Sequence, residues 1–113
     1  MARSGLLAAA FIGAATTAAG ATPADDAKLV ALGQAIAEKN CSRCHAVGHT
    51  GDSPNPKSPP FRTLSSRYPL ANLEEALAEG IMVGHQGPEM PQFQLDPGQI
   101  EGLMAYLSSI QAK

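Results

Sequence analysis

The segment that most constrains this chain is residues 40–50, NCSRCHAVGHT, which contains both cysteines of the sequence. Two residues separate Cys41 from Cys44, and His45 follows the second cysteine directly. A cysteine pair with this spacing can be a disulfide redox switch, half of a zinc site or the attachment point of a covalently bound haem. The rest of the sequence has to distinguish these three possibilities.

The zinc and thiol-redox interpretations find little support elsewhere in the chain. A structural zinc site needs four ligands, and the other candidates are His49 and His85, both in loop sequence without a second cysteine pair. A thioredoxin-like pair accompanies a βαβ pattern, but no segment alternates as a strand does. In Cys-x-x-Cys-His the two thiols can add to the vinyl groups of a haem while the histidine reaches the iron. The motif therefore favours covalent haem.

Size and composition agree with a bound cofactor. The chain has 113 residues and no Trp, so a single small domain must form its core from few aromatic side chains. A large flat cofactor would fill such a core better than a disulfide between Cys41 and Cys44, which closes too short a loop to stabilise much. The overall balance of 8 basic against 10 acidic residues does not suggest a basic face for nucleic acid or an anionic membrane.

The N-terminal residues have the pattern of a secretory signal peptide. Arg3 supplies the positive charge, and residues 6–17 (LLAAAFIGAATT) are apolar. The small residues of AAGA at 18–21 provide a cleavage site after Ala21, with Gly20 as the close alternative. The apolar run is shorter and weaker than the roughly 20 residues that a spanning helix needs. We therefore predict a cleaved signal peptide at 1–21 and an exported domain at 22–113, periplasmic or otherwise outside the cytoplasm.

Three segments carry helical periodicity, which predicts an all-α fold. In the first, Asp25 or Asp26 is the expected cap, and the apolar residues Leu29, Leu32 and Ile36 share one face before the helix reaches the cysteine motif. The second helix is expected within residues 72–81 (NLEEALAEGI), capped by the asparagine and ended by the glycine.

The third helix has the clearest signals. Asp96 is expected to cap it, Pro97 suits the first helical position, and apolar residues then recur at helical spacing. Those residues are Ile100, Leu103, Met104, Leu107 and Ile110.

Two Pro- and Gly-rich loops, 47–60 and 83–97, separate these helices, and the second contains the best candidate for a second iron ligand. A thioether is a common axial ligand in electron carriers, since it favours ferrous iron. Met90 lies between prolines in GPEMPQF and belongs to no apolar stripe, whereas Met82 and Met104 are expected to pack. His85 is the rival ligand, and His49 is expected to be a solvated loop residue.

These segments resemble the class I c-type cytochromes, small single-haem electron carriers. The resemblance spans the expected mature chain, through GQAIAEKNCSRCH at 33–45, SPPF at 58–61, EMPQF at 89–93 and IEGLMAYLSSI at 100–110. It implies the cytochrome c fold, in which three to four short helices and long loops surround one covalently bound haem c. By this resemblance Cys41 and Cys44 form the thioether bonds, His45 is the proximal ligand and Met90 the distal one.

The resemblance also implies supporting roles. Gly33 matches the small residue where the first and last helices cross opposite Tyr106, although the aromatic residue that usually follows four positions later is replaced by Ala37. The carbonyl of Pro59, or else of Pro60, would accept a hydrogen bond from the proximal histidine. Among the remaining cofactor contacts, the propionates would be bound by Arg62, Arg67 and Tyr68, and the haem faces covered by Phe61 and Phe93.

The function implied is one-electron transfer between proteins, without substrate chemistry and therefore not an enzyme activity. Expected partners are a dehydrogenase or reductase, a terminal oxidase or a cytochrome bc-type complex, docking near Ser42, Arg43 and loop 85–92 on a monomer without stable membrane insertion after cleavage. The mild acidity favours partners that present apolar contacts or a basic patch. Two alternatives stay open: a haem subunit of a larger oxidoreductase, and a haem protein whose labile sixth ligand admits gas or peroxide.

Overall fold

The computed structural model describes residues 5–16, 20, 22–80, 90 and 93–112 and is helical wherever it has regular structure. Helix α1 spans Pro23–Asn40, a 3-10 helix spans Phe61–Ser66, α2 spans Leu70–Glu79 and α3 spans Pro97–Ile110. No strand occurs among the residues just named. The all-α prediction is therefore confirmed, with a 3-10 helix that the sequence periodicity did not indicate.

Helix α1 begins at a capping box built from Thr22 and Asp25. The Thr22 hydroxyl accepts from the Asp25 backbone N–H, and the Asp25 carboxylate accepts in return from the Thr22 backbone N–H. Hydrogen bonds from Thr22 lower the pKa of the Asp25 carboxyl. The prediction that Asp25 or Asp26 is the cap was wrong by three or four residues, because a threonine before Pro23 fills that role.

Helix α2 begins earlier than predicted and ends where predicted. Its first residue is Leu70, after Pro69, and no side chain caps it, so the expected cap at Asn72 was wrong. Pro69 has no backbone N–H to donate to a preceding helical turn, so a helix cannot run through it from the N-terminal side. Its fixed φ is compatible with the position directly before a helix. Gly80 ends the helix with φ of 85°, a backbone conformation that glycine adopts without the steric cost of a side chain.

Helix α3 confirms its predicted start. The Asp96 carboxylate accepts from the Gln99 backbone N–H at 2.8 Å, and the Gln99 side-chain oxygen accepts from the Asp96 N–H at 3.0 Å. Pro97 occupies the first turn, where its missing N–H costs no hydrogen bond. Four of the five predicted apolar residues are buried, and the fifth, Met104, is half-buried.

Helices α1 and α3 cross at a contact between two glycines. A Cβ atom on Gly33 would overlap the Gly102 carbonyl oxygen and lie 2.6 Å from the Cβ of Tyr106. Ala37, one turn further along, is fully buried. The prediction that Gly33 marks the crossing of the first and last helices opposite Tyr106 is confirmed.

The core lies between α1, α3, α2 and the 3-10 helix. Its buried apolar residues are Ile36, Ala37, Phe61, Leu64, Leu77, Ile100, Leu103, Tyr106, Leu107 and Ile110. Leu32, expected on the buried face of α1, is 43% exposed, although the end of its side chain lies beside Gly102 of α3.

Residues 5–16 have no regular secondary structure, and the side chains of Leu6, Leu7, Phe11 and Ile12 are exposed. Within the described part of the chain, no helix combines the length and the apolar character needed to cross a membrane. The signal peptide and its cleavage after Ala21 stay predictions.

Candidate functional site

A cavity of about 380 Å³ lies against the cysteine motif. This volume is in the range that holds a large organic ligand. Most of its walls are apolar and come from all four helices and the segments between them. The lining residues that the sequence singled out are Cys41, His45, Pro59, Phe61, Arg67, Tyr68, Met90 and Phe93. The fold therefore gathers residues that are up to 52 positions apart in sequence around one space.

The cysteine motif continues the backbone of α1 into one further turn. Cys41 donates its N–H to the Ala37 carbonyl at 2.9 Å, and the N–H groups of Cys44 and His45 both point to the Cys41 carbonyl, at 3.2 and 2.9 Å. The turn thus places Cys41 and His45 on the cavity wall. Cys44, half-buried on the same turn, is not among the lining residues.

The Cys41 thiol is held in its neutral form. Burial, with a smaller contribution from Cys44, raises the pKa of this thiol to about 11. The two cysteines are not joined by a disulfide. A neutral, apolar thiol suits the wall of a hydrophobic cavity, and the sulfur lies where a ligand in the cavity can reach it.

The ring of His45 is oriented by two neighbours. Its Nδ1 lies 2.7 Å from the carbonyl oxygen of Pro59, and the ring of Phe61 lies with its centroid 4.8 Å away at a 40° tilt. The carbonyl of Pro60 instead accepts from Thr63, through both its N–H and its hydroxyl. Because a carbonyl oxygen can only accept, Nδ1 carries the proton, and this is the tautomer in which a histidine coordinates a metal through Nε2.

The polar edge of the cavity differs from what the sequence indicated. Arg67 and Tyr68 line it, joined by Lys57 and Asn72, which sequence reasoning missed. Arg62, expected to bind a propionate, does not line the cavity, and its Nη1 donates to the Gly51 carbonyl at 2.8 Å.

Few side chains at this edge could bind a carboxylate. Burial raises the pKa of Tyr68, an effect that the charge of Arg67 opposes, so Tyr68 is a neutral phenol that can donate a hydrogen bond. The spacing of the basic residues in KSPPFRTLSSR at 57–67 could have suggested Lys57 as a residue of the cavity edge. The sequence does not show which of these cations faces the cavity, because that depends on how the loop folds.

Met90 lies on the cavity wall and packs against the core. It is half-buried, although the neighbouring residues 81–89 and 91–92 lie outside the described part of the chain. The rival ligand His85 and the expected packing residue Met82 fall in that range. Met104 packs against the core without lining the cavity, and His49 is exposed, both in agreement with their predicted roles.

The loop after the motif is tied to α3 through Tyr106. This buried residue donates its hydroxyl hydrogen to the Val47 carbonyl at 2.6 Å, and burial, with a contribution from Glu38, raises its pKa. Phe61 donates its N–H to the Ala46 carbonyl at 2.9 Å on the other side. Both bonds restrain the residues that directly follow His45.

The donor set fits a haem. An oriented histidine and a thioether lie on the walls of one apolar cavity, a neutral thiol lies beside the histidine, and cationic or phenolic groups at the edge suit two carboxylates. Among the described residues no cluster of three His, Cys, Asp or Glu side chains could hold a metal ion by itself.

Comparison with known protein families identifies the family of this domain. The family described as Cytochrome c matches residues 30–111, a range that includes the motif, the cavity and α3. No curated protein and no solved structure matches the chain significantly.

Proposed function

This chain belongs to the cytochrome c family, a family of haem-binding electron carriers, and we propose that it is an exported single-haem carrier with His45 and Met90 as axial ligands. Membership implies haem c bound covalently through Cys41 and Cys44, in the Cys-x-x-Cys-His spacing. The site observation that supports the ligand pair is that His45 and Met90 line the same apolar cavity.

The bound haem supplies an iron that changes its charge by one unit without substrate chemistry. The chain's contribution is to keep the ligands fixed while that charge changes. The Pro59 carbonyl and the Phe61 ring hold His45 in one orientation. Leu64, Leu77 and the buried leucines of α3 exclude water from the cavity, so little solvent has to reorganise.

The positive charge of the residues near the Cys-x-x-Cys-His motif favours a partner whose docking surface is negatively charged. Residues 39–67 contain five basic side chains and one acidic, whereas residues 68–112 contain six acidic and no basic side chains. Arg43 is exposed between the two cysteines, and Lys57 is exposed at the cavity edge. The overall charge favours a partner that presents apolar contacts or a basic patch, whereas the positive charge of Arg43, one of the expected docking residues, favours an acidic patch.

The local charge can be measured with small oxidants instead of an unidentified partner. Oxidation of the ferrous protein by ferricyanide, an anion, should slow with increasing ionic strength, and Arg43→Glu should slow it at low salt. Lys28→Glu makes the same change of charge on α1, roughly 20 Å along the helix from the motif, and should have a smaller effect. Equal effects of the two variants would contradict docking at the motif.

The carrier function is tested by redox titration together with carbon monoxide binding. A carrier with two protein ligands should titrate reversibly with one electron and bind carbon monoxide slowly or not at all. Ready carbon monoxide binding by the wild-type ferrous protein contradicts the proposal and favours a labile sixth ligand. A reproducible stoichiometric complex with a dehydrogenase, after purification from the native host, would instead identify a subunit of a larger oxidoreductase.

The ligand assignment is tested by two substitutions. Met90→Ala should retain covalent haem, lower the reduction potential and open the iron to external ligands, because the thioether favours the ferrous state. His85→Ala is the control and should leave the potential and ligand binding close to wild type. The reverse pattern would identify His85 as the ligand.

A further inference from the structure

Gln111, at the C-terminal end of α3, makes three side-chain hydrogen bonds. Its Nε2 donates to the carbonyls of Phe61 and Leu107, both at 2.8 Å, and its Oε1 accepts from the Ser65 N–H at 2.8 Å. One of these bonds is within α3, and the other two join α3 to the first and fifth residues of the 3-10 helix. This side chain therefore holds both ends of the 3-10 helix against the last helix.

The 3-10 helix is also the element that orients His45. It begins at Phe61, whose ring lies against the imidazole and whose N–H donates to the Ala46 carbonyl. Pro59, two residues before it, presents its carbonyl to His45 Nδ1. A displacement of the start of this helix would thus move both groups that fix the imidazole ring.

The 3-10 helix is held in the core by the buried side chains of Phe61 and Leu64, and hydrogen bonds join it to the carbonyls of Ala46 and Gly51. Few hydrogen bonds join it to α3. Its N-terminal cap makes no side-chain hydrogen bond. Apart from the Gln111 side chain, its described hydrogen bonds to α3 and the residues after it comprise one backbone bond, from the Ala112 N–H to the Arg62 carbonyl at 2.8 Å. Short 3-10 helices have poor hydrogen-bond geometry of their own, so their position depends on outside contacts.

We propose that Gln111 is a positioning residue for His45: by fixing the 3-10 helix, it fixes the Pro59 carbonyl and the Phe61 ring that orient the imidazole. This role rests on the proposed function in so far as His45 is the proximal ligand. The path is continuous, from the Gln111 amide through the Phe61 backbone to the Phe61 ring and the imidazole.

Hydrogen exchange in the ferrous haem-bound protein tests this role. The protons to follow by NMR are the His45 Nδ1–H and the Phe61 amide. Gln111→Ala should accelerate exchange of both about tenfold or more, since it removes the hydrogen bonds that hold the 3-10 helix. The matched control is Gln99→Ala, which removes a side-chain hydrogen bond at the opposite end of the same helix and should leave both rates unchanged.

The two glutamine variants distinguish positioning from simple stability. The amide of the buried Ala37 in α1 reports overall unfolding and serves as the internal reference. A larger acceleration at His45 and Phe61 than at Ala37 in Gln111→Ala supports the proposal, whereas equal acceleration at all three, or equal rates in the two variants, overturns it. If Gln111→Ala does not fold, Gln111→Glu replaces it, because a carboxylate can still accept from Ser65 but cannot donate to the Phe61 carbonyl. Exchange at His45 as slow as in wild type would then overturn the proposal.

Carbon monoxide binding tests the carrier function, and hydrogen exchange in the glutamine variants tests the positioning role, so the two can fail separately. A wild-type protein that binds carbon monoxide readily contradicts the carrier function, whatever happens at Gln111. A wild-type protein that excludes carbon monoxide, with Gln111 and Gln99 variants that exchange equally, contradicts the positioning role alone.

Discussion

Replacing Gly33 by alanine should destabilise the protein through the crossing of α1 and α3. The added Cβ would overlap the Gly102 carbonyl oxygen and approach Tyr106 Cβ to 2.6 Å, whereas ordinary contact begins at 3.4 Å. The two helices must therefore separate by roughly 0.8 Å at the least, and gaps of this size forfeit a quarter to a half of the dispersion energy of each contact. The atoms in the way are backbone or Cβ atoms, so no rotamer change relieves the overlap.

The magnitude follows from two opposing effects. Overpacking costs about 1–3 kcal/mol, and a clash with backbone belongs at the upper end of that range. Alanine recovers about 1 kcal/mol of helix propensity over glycine. The net loss is about 2 kcal/mol, which corresponds to a fall in melting temperature of roughly 8–16 °C for a domain of this size.

Thermal and denaturant unfolding of the haem-bound protein, followed by far-UV circular dichroism, measures this loss. Gly48→Ala is the control, because a Cβ there meets no atom within 4 Å, and it should change the free energy of unfolding by less than about 0.5 kcal/mol. Gly102→Ala should be intermediate, since its Cβ would lie 3.0 Å from the end of the exposed Leu32 side chain, which can move, and 3.3 Å from the backbone carbonyl oxygen of Leu29. A Gly33 variant as stable as the Gly48 variant would refute the close crossing.

The remaining predictions concern hydrogen bonds. Tyr106→Phe should cost about 1 kcal/mol, because it leaves the Val47 carbonyl without its donor. Burial raises the folded-state pKa of Tyr106, so the protonated hydroxyl stabilises the fold fully below about pH 10, the ordinary tyrosine pKa. This stabilisation is lost as the pH rises through the folded-state pKa. The free energy of unfolding should therefore fall less at alkaline pH in the phenylalanine variant than in the wild type. Asp96→Ala should lower the free energy of unfolding by about 1 kcal/mol through loss of the α3 cap. Arg62→Ala should leave the reduction potential unchanged, since this side chain binds a loop carbonyl, whereas Arg67→Ala at the cavity edge should shift it, and electrochemistry of both variants decides between them.

Local signals in the sequence predicted α3 and the attachment motif well. The Asp96 cap, the proline after it and the apolar repeat all act within a few residues, so each can be seen without knowing the fold. The start of α1 was predicted wrongly because three polar residues, Thr22, Asp25 and Asp26, could all cap it, and only the reciprocal bond between the first two selects Thr22.

Contacts across the fold were harder to predict. The family resemblance favoured the carbonyl of Pro59 over that of Pro60 as the hydrogen-bond acceptor of His45, but the sequence of the loop did not decide between them. The hydrogen bond between His45 and the Pro59 carbonyl decides it. The tie between Arg62 and the Gly51 carbonyl depends on how the 47–60 loop folds back, which four prolines obscure. The Gln111 contacts join residues about 50 positions apart and carry no sequence signal.

Binding of one haem iron by both His45 and Met90, as proposed, can be observed by NMR of the ferrous protein. A methionine methyl group bound to haem iron lies over the ring and is shifted far upfield by the ring current. We predict one such signal in the wild type, lost in Met90→Ala and retained in Met104→Ala, the matched methionine that packs outside the cavity. A wild-type spectrum without the signal, or a signal that survives Met90→Ala, would contradict the account.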